Sequence, residues 1–339
     1  MPLIDHHRCV RCHCLRPAFV FLFLALTVSV LSAQQSFQPK PVFDREVERQ
    51  LDQIPFDGRA SYEYLRKICE IGPRVTGSKG MTAQRELLAK IFQDLGAKVF
   101  LQSFAIRHPV NGEAVEVGNL IVHWHPERKR RVLICTHFDT RPYPDSDLRN
   151  PRGEFIGAND GGSGTALLCQ LGKYMPDLKS EYGVDFVFFD AEEFVFEQRG
   201  AEYFIGSTHF AKDYAANPPE FRYEFGILLD MIGDANLNLY FEKNSLQHAG
   251  QLTRSIWQTA RRLRVSEFTP RLRHTVRDDH LPLNEIAKIP TSDIIDFDYP
   301  QPGANFSYWH TQQDTIDKCS PLSLAKVGWV LHQWLQDLK

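Results

Sequence analysis

Residues 184–193, VDFVFFDAEE, form the stretch that decides the fold class. Residues 184–189 are nearly all apolar, which is typical of a strand that other layers cover on both faces. The acidic side chains of Asp190, Glu192 and Glu193 follow directly. In open α/β sheets, ligands bind beyond the carboxyl ends of the strands. The stretch therefore predicts a strand of a parallel sheet with a functional site at its end.

Further strands and helices alternate along the rest of the chain. Strands are predicted at residues 99–104, 131–136, 225–229 and 291–297, and helices at residues 57–71, 165–174, 246–263 and 322–338. A second early helix, with Leu88 and Phe92 at helical spacing, is expected to stop at Gly96. We find no internal repeat and no second domain boundary. The alternation predicts an α/β fold in a single domain, with a mixed, mainly parallel central sheet flanked by helices.

The composition excludes several classes of protein. The chain has 339 residues, of which 43% are hydrophobic and 24% are charged, and it carries a formal net charge of −3. These values are typical of a globular protein with room for one large core. Positive and negative charges are mixed along the chain, so no basic stripe indicates a nucleic-acid partner.

The N-terminus has the pattern of a secretory signal. Residues 18–31 form an uncharged run, and Arg8, Arg11 and Arg16 precede it. The run is shorter than the ~20 residues that span a bilayer, and a small residue follows it before a polar stretch. We therefore expect residues 1–33 to be a signal peptide of an exported protein, periplasmic or secreted, with no stable membrane partner. An uncleaved signal anchor is the alternative.

Residues 34–56 are polar and proline-containing, so we expect a linker or N-terminal arm ahead of a catalytic domain at residues 57–339. An exported protein can form disulfides, but the sequence does not assign any pairing. Four cysteines lie outside the signal segment: Cys69, Cys135, Cys169 and Cys319.

Acidic and histidine side chains gather just after the predicted strands. His137 and Asp139 follow residues 131–136, the glutamate pair follows residues 184–189, and Asp230 follows residues 225–229. Carboxylates crowded into one crevice repel each other, and a cation would neutralise them. The sequence therefore predicts a metal site at the carboxyl ends of the strands.

Two more candidate ligands come from other parts of the chain. Asp160 lies in the glycine-rich turn GANDGGSG, directly before a predicted helix, and His310 lies near the C-terminus. A phosphate cradle is the alternative for such a turn, but it lacks a Walker lysine and the dinucleotide spacing. One nitrogen and two oxygen ligands suit catalytic zinc, which keeps a fourth position open. Adjacent Glu192 and Glu193 point different ways, so one can bind metal while the other shuttles protons.

Together these residues resemble the co-catalytic zinc aminopeptidases and, within them, the glutaminyl-peptide cyclotransferases of bacterial type. The aminopeptidase pattern resembles the ordered set of His137, Asp139, Asp160, Glu192, Glu193, Asp230 and His310. Three stretches are similar to the cyclotransferases: residues 228–233 (LLDMIG), 277–282 (RDDHLP) and 309–311 (WHT). The resemblance covers about residue 61 to the C-terminus.

The resemblance implies a role for each matching residue. It implies one zinc ion bound by Asp160, Glu193 and His310. Glu192 would be the general acid and base, hydrogen-bonded through Asp230 and Asp278. The implied substrates are peptide or protein N-termini, whose terminal glutamine would be converted to pyroglutamate with release of ammonia.

The remaining implied positions surround that centre. Trp309 would form part of an apolar slot for the glutamine side chain, and Asp139 and His280 would lie behind the residues that bind metal and substrate. Cyclotransferases usually place a tryptophan in the loop after the glutamate pair, but residues 194–204 contain none. An aromatic side chain of that loop, Phe196, Tyr203 or Phe204, is expected to replace it.

Two alternatives remain open. In an aminopeptidase with two zinc ions, His137 and Asp230 would hold the second ion, Asp160 would bridge, and Glu192 would activate a water molecule. A non-catalytic ectodomain of the same fold is the other alternative. It is disfavoured because every candidate ligand is present.

Overall fold

The computed structural model describes residues 44–197 and 201–339. Its strands are β1 (Lys98–Arg107), β2 (Ala114–Trp124), β3 (Arg130–His137), β4 (Gly183–Phe189), β5 (Arg222–Asp230), β6 (Leu239–Glu242), β7 (Phe268–His274) and β8 (Thr291–Ile295). Its helices are α1 (Arg45–Leu51), α2 (Gly58–Glu70), α3 (Lys79–Asp94), α4 (Gly162–Gly172), α5 (Ile205–Ala216), α6 (Lys243–Leu263), α7 (His280–Glu285) and α8 (Pro321–Asp337).

The central sheet has six strands in the order β1-β2-β4-β3-β5-β8. Strands β4, β3, β5 and β8 run parallel, whereas β1 and β2 form an antiparallel edge that pairs with β4. The predicted mixed, mainly parallel sheet is therefore confirmed. A separate parallel pair, β6 and β7, was not predicted: β6 has only four residues, and β7 contains Pro270 and is mostly exposed.

Strand β4 is buried along its whole length, as its apolar sequence predicts. Successive side chains of a strand point to opposite faces, and here each face meets its own apolar layer. Phe186 and Phe188 belong to the larger core cluster, in which Phe92 of α3 contacts both rings. Val187 and Phe189 belong to the cluster on the other face. Both faces of the sheet are therefore covered.

Helix boundaries follow local signals in the sequence. Helix α2 begins after Asp57, whose carboxylate accepts the Ala60 N–H, and α3 begins after Ser78, whose hydroxyl accepts the Met81 N–H. Such side-chain caps satisfy N–H groups that the first helical turn leaves unpaired. The predicted helices at residues 57–71, 246–263 and 322–338 agree with α2, α6 and α8 to within a few residues.

The proposed signal segment lies outside the described residues. The described part of the predicted arm contains α1, which ends in the buried side chain of Leu51. No helix in the described ranges is long and apolar enough to cross a membrane. The four cysteines outside the signal segment are present as free thiols.

Candidate metal centre and catalytic cavity

The carboxyl ends of the parallel strands bring the predicted residues together. β3 ends at His137 and β5 ends at Asp230, while the glutamate pair follows β4. Asp160 precedes α4, and the turn between them requires glycine. Gly161 has φ of +77°, and a Cβ atom there would lie 2.7 Å from the Asp139 carbonyl oxygen. The missing side chain therefore lets this turn pack against the end of β3.

Asp160, Glu193 and His310 form a group whose ligand atoms all lie within 4.8 Å of one another. The His310 Nε2 atom lies 2.7 Å from Glu193 Oε1 and 3.5 Å from Asp160 Oδ2. Asp160 Oδ2 and Glu193 Oε2 are buried and accept no hydrogen bond from the described residues. Buried carboxylate oxygens without donors are suited to a cation, so this donor set fits zinc.

Two further carboxylates hold the loops that carry these ligands. Asp139, predicted to lie behind the site, accepts the backbone N–H groups of Glu192 and Glu193 at 3.1 and 3.0 Å. Asp314 accepts the N–H groups of Asn159 and Asp160 at 2.8 and 3.1 Å. Asp314 was not singled out from the sequence. Its spacing of four residues from the histidine of the WHT motif was the only available signal.

Arg141 is a second residue that the sequence analysis missed. Its guanidinium is 1% exposed and donates to both carboxylate oxygens of Asp145 at 2.9 Å. Its Nη1 atom also donates to Glu193 Oε1 at 3.2 Å. Asp145 in turn lies 3.6 Å from His310 Nδ1. The buried arginine therefore holds Glu193 directly, and its partner Asp145 lies beside His310.

The charges of the site shift the pKa values of its ligands in opposite directions. Burial, reinforced by the nearby Glu193 charge, raises the pKa of Asp160 to about 6. Burial would also raise the pKa of Glu193, but the charge and hydrogen bond of His310, with help from Arg141, lower it to about 2. The pair therefore holds one carboxylate firmly ionised beside one that binds protons near neutral pH.

His137, Asp160 and Asp230 form a second candidate ligand group. The His137 Nε2 atom lies 3.1 Å from Asp160 Oδ1 and 3.3 Å from Asp230 Oδ1. Burial alone would lower the pKa of His137, but hydrogen bonds to three surrounding aspartates raise it well above the usual range. The same geometry therefore accommodates a protonated imidazole between carboxylates or a second metal ion.

Glu192 lines one cavity together with the zinc ligands and Asp278, and its Oε2 atom lies 3.8 Å from His137 Nδ1. Burial raises the pKa of both carboxyl groups well above the usual range. The described residues show no hydrogen bond between Glu192 and either Asp230 or Asp278. The hydrogen-bonded network stays a prediction, and it requires protons shared among these groups.

A cavity of about 230 Å³ joins these groups. Trp309 lines it and stacks on His310, with ring centroids 3.7 Å apart and planes 25° apart. Of the three aromatic residues expected to replace the missing tryptophan, Tyr203 and Phe204 line this cavity. Phe196 lines a neighbouring cavity and packs against His108.

His280 was predicted to lie behind the site, and it is not among the described residues that line the cavity. It is fully buried, with Nε2 3.5 Å from Glu242 Oε2 and Nδ1 3.9 Å from Asp293 Oδ2. Burial raises the pKa of Asp293 well above the usual range, and the charge of Asp278 adds to the rise. Ligand atoms of His280, Asp293 and Asp278 lie within 4.8 Å of one another, and Asp278 lines the catalytic cavity.

The sequence profile of peptidase family M28 matches residues 119–335. The match covers more than half of the chain, so the protein belongs to peptidase family M28. The crystal structure of Fimbriiglobus ruber glutaminyl cyclase superposes with a TM-score of 0.79 at 37% identity, over 90% of this chain and 100% of that one. A Zn-dependent exopeptidase from Parabacteroides distasonis superposes with a TM-score of 0.76 at 31% identity, over 83% of this chain and 98% of the other.

A curated relative supports the same family. The chain is 25% identical over 281 residues to the glutaminyl-peptide cyclotransferase of Drosophila melanogaster, which is 75% of each chain. The fold is therefore that of the zinc exopeptidase-like glutaminyl cyclases, and the family indicates zinc as the metal.

Proposed function

We propose that this protein is a glutaminyl-peptide cyclotransferase, which converts N-terminal glutamine of peptides to pyroglutamate with release of ammonia. The observation that carries the proposal is the cavity itself, where the zinc ligands face the proton-holding pair of Glu192 and Asp278. Relatives with the cyclase name, one of them 37% identical over 90% of this chain, support the choice of reaction.

Zinc held by Asp160, Glu193 and His310 would supply Lewis acidity to the γ-carboxamide of the substrate. The nucleophile is the substrate's own α-amine, so the protein has to orient two parts of one molecule. Glu192 lines the same cavity and accepts the proton that the amine loses as its nitrogen bonds to the carbonyl carbon of the γ-carboxamide. It then donates that proton to the leaving nitrogen, which departs as ammonia as the carbon–nitrogen bond breaks.

The surroundings of Glu192 suit a group that both accepts and donates a proton. Its raised pKa, caused by burial and by the Glu193 charge, makes the protonated form accessible near neutral pH. Asp278 and Asp230 line the same cavity and would keep the Glu192 carboxyl in place once protons are shared. Trp309 would cover one side of the glutamine side chain with its indole ring.

The second candidate function is a two-zinc aminopeptidase. The group of His137, Asp160 and Asp230 favours it, because its ligand atoms lie within 4.8 Å of one another. The exopeptidase relative at 31% identity points the same way. We propose one zinc ion, because residues 277–282 and 309–311 resemble the cyclotransferases.

The deciding experiment measures both products on purified protein. A glutamine-initiated peptide should release ammonia and lose its free amine, while a leucine-initiated peptide should stay intact. Release of free leucine with no ammonia would establish the aminopeptidase instead. Elemental analysis of the same sample should return about one zinc per chain, and two tightly held ions would contradict the single-zinc proposal.

The ligand assignment is tested by removing one nitrogen donor. His310→Ala should lose zinc and activity together, because two carboxylates alone leave an incomplete coordination shell. His248→Ala on α6 removes a histidine that lies outside the cavity, and it should keep both. Zinc retained at full occupancy in His310→Ala would exclude His310 as a ligand.

We also propose that the chain is exported after removal of residues 1–33. The uncharged run at residues 18–31 and the arginines before it support export. N-terminal sequencing of protein recovered outside the cytoplasm should begin close to residue 34. Recovery of the full-length chain in the membrane fraction would favour the signal-anchor alternative.

A further inference from the structure

A second cavity, of about 670 Å³, adjoins the catalytic cavity. The two cavities share Tyr203, Phe204 and Arg277 as lining residues. The catalytic cavity, at about 230 Å³, has room for little more than the terminal glutamine, so the following residues of a peptide must leave it. If the proposed function holds, the second cavity is a route for those residues.

Arg277 lies at the junction of the two cavities and is exposed. Its neighbours Val276 and Asp278 are both buried. The Asp278 carboxyl is therefore enclosed at the catalytic cavity, while the Arg277 side chain lines the same cavity and reaches solvent. Among the described residues, no hydrogen bond or ion pair engages the Arg277 guanidinium. Arg141 differs from Arg277 in this respect, because its guanidinium forms ion pairs with Asp145 and Glu193.

The rest of the second cavity does not cancel this charge. Lys212 of α5 lines it and is exposed, while Glu202 contributes one opposing carboxylate. His209 is also present, but burial lowers its pKa, so the ring is neutral at pH 7. Among the described residues that line the cavity, two cationic side chains are therefore opposed by one anionic side chain. An acidic side chain of a peptide substrate that extends out of the catalytic cavity therefore faces a surface with net positive charge.

We propose that Arg277 is a specificity-determining residue that favours substrates with an acidic side chain at the first or second position after the N-terminal glutamine. The guanidinium presents several N–H donors in a plane, which suits a carboxylate better than a point charge does. An exposed pair of this kind is weak in water. The expected preference over a neutral peptide is therefore about two- to fivefold in kcat/KM.

The test compares ratios of kcat/KM on one enzyme preparation. The substrates are the amides Gln-Ala-Ala, Gln-Glu-Ala, Gln-Ala-Glu and Gln-Lys-Ala, and the readout is ammonia release. Wild-type protein should prefer one of the glutamate peptides about two- to fivefold over Gln-Ala-Ala. In Arg277→Gln this ratio should fall to about one, and in Arg277→Glu the lysine peptide should become the better substrate.

A matched control removes an exposed arginine elsewhere. Arg254→Gln on α6 lies outside both cavities and should keep the wild-type ratio. Raising the salt concentration from about 0.05 to about 0.5 M should also bring the wild-type ratio towards one, because salt screens exposed charges. This second measurement does not depend on any variant.

The outcomes separate the two proposals. Equal rates on all four peptides, or a glutamate preference that Arg277→Gln retains, would overturn the role of Arg277 while leaving the cyclotransferase intact. Absence of ammonia from every peptide, Gln-Ala-Ala included, would instead overturn the proposed function.

Discussion

The two ends of the central sheet each bury aspartates among basic side chains, and they differ in how those charges are satisfied. Near the amino ends of the parallel strands, Asp185 is fully buried. It accepts the Tyr223 hydroxyl at 2.6 Å and Arg131 Nε at 2.9 Å, and His123 Nδ1 lies 2.5 Å away. The Nη1 and Nη2 groups of Arg131 also donate hydrogen bonds to backbone carbonyl oxygens. Every charge of this cluster is neutralised by the chain itself.

At the carboxyl ends the chain leaves charges unmatched. One buried carboxylate oxygen in each of Asp160, Glu193, Asp278 and Asp279 accepts no hydrogen bond within the described chain. Leaving buried polar atoms without partners is unfavourable for folding unless a ligand completes them. The Asp185 cluster, whose charges are paired within the chain, therefore contributes stability. The carboxylates at the other end of the sheet, which lack hydrogen-bond donors, contribute function. The following changes should separate the two.

Glu192→Gln should have the largest effect. A glutamine side chain keeps the shape but cannot accept the amine proton, so kcat for ammonia release should fall by about 10² to 10⁴. Zinc content should stay at the wild-type value, because Glu192 lies outside the proposed ligand set. Ammonia kinetics and elemental analysis on one sample check both. Wild-type turnover by this variant would remove Glu192 from its assigned role.

Asp185→Asn should lower stability instead. Breaking a buried ion pair leaves the Arg131 guanidinium without its partner charge, so the free energy of unfolding should fall by about 3–5 kcal/mol. Urea denaturation measures this loss, and the folded fraction should keep its zinc. The control Asp94→Asn breaks an exposed pair with Lys90 and should change stability by less than about 1 kcal/mol. A similar change in both variants would contradict the contrast between the two ends.

Arg141→Gln should act on metal affinity. Without the guanidinium, Glu193 and Asp145 lose the donor that holds them in place, and zinc affinity should weaken about 10- to 100-fold. Competition with a chelator of known affinity provides the measurement. Arg141→Lys keeps the charge but cannot donate to two carboxylates at once in the same way. The zinc affinity of this variant should therefore lie between those of the wild-type protein and Arg141→Gln. Unchanged affinity in Arg141→Gln would show that the arginine serves packing alone.

The sequence was most informative where a residue followed a strong local pattern. Asp160 stands in a glycine-rich turn before a helix, and the glutamate pair follows an apolar strand, so both could be placed before the structure was known. The structure brings these residues together with His310 within 4.8 Å, although their roles as ligands stay a prediction. Asp139 and His280 were likewise expected behind the site; Asp139 accepts the Glu192 N–H and His280 lies 3.5 Å from Glu242, while their roles stay a prediction.

The roles of Arg141 and Asp314 could not be predicted from local sequence patterns. Both lie in loops without regular periodicity, and each acts through a partner that is close only after the chain has folded. Arg141 reaches Glu193, 52 residues away in sequence, and Asp314 reaches Asn159, 155 residues away. Strands β6 and β7 were also missed, because β6 has only four residues and β7 contains a proline and mostly exposed side chains.

As the pH falls, zinc should dissociate before the cluster of Asp185, Arg131 and His123 is disturbed. The pKa of Asp160 is raised to about 6 by burial, so protons compete with zinc for this ligand as the pH falls through 6. Apparent zinc affinity should fall by about tenfold per pH unit for each displaced proton. For Asp185, burial would raise the pKa, but hydrogen bonds from His123 and Arg131 lower it below 3.8.

A lowered carboxyl pKa contributes stability that is present above the unfolded-state value and is lost as the pH falls through the folded one. The contribution of Asp185 should therefore persist down to about pH 4, where the ordinary carboxyl titrates. Chelator competition and urea denaturation between about pH 4 and 8 should show zinc released from a chain that is still folded. Simultaneous loss of zinc and fold across this range would mean that the metal centre, rather than the Asp185 cluster, holds the sheet together.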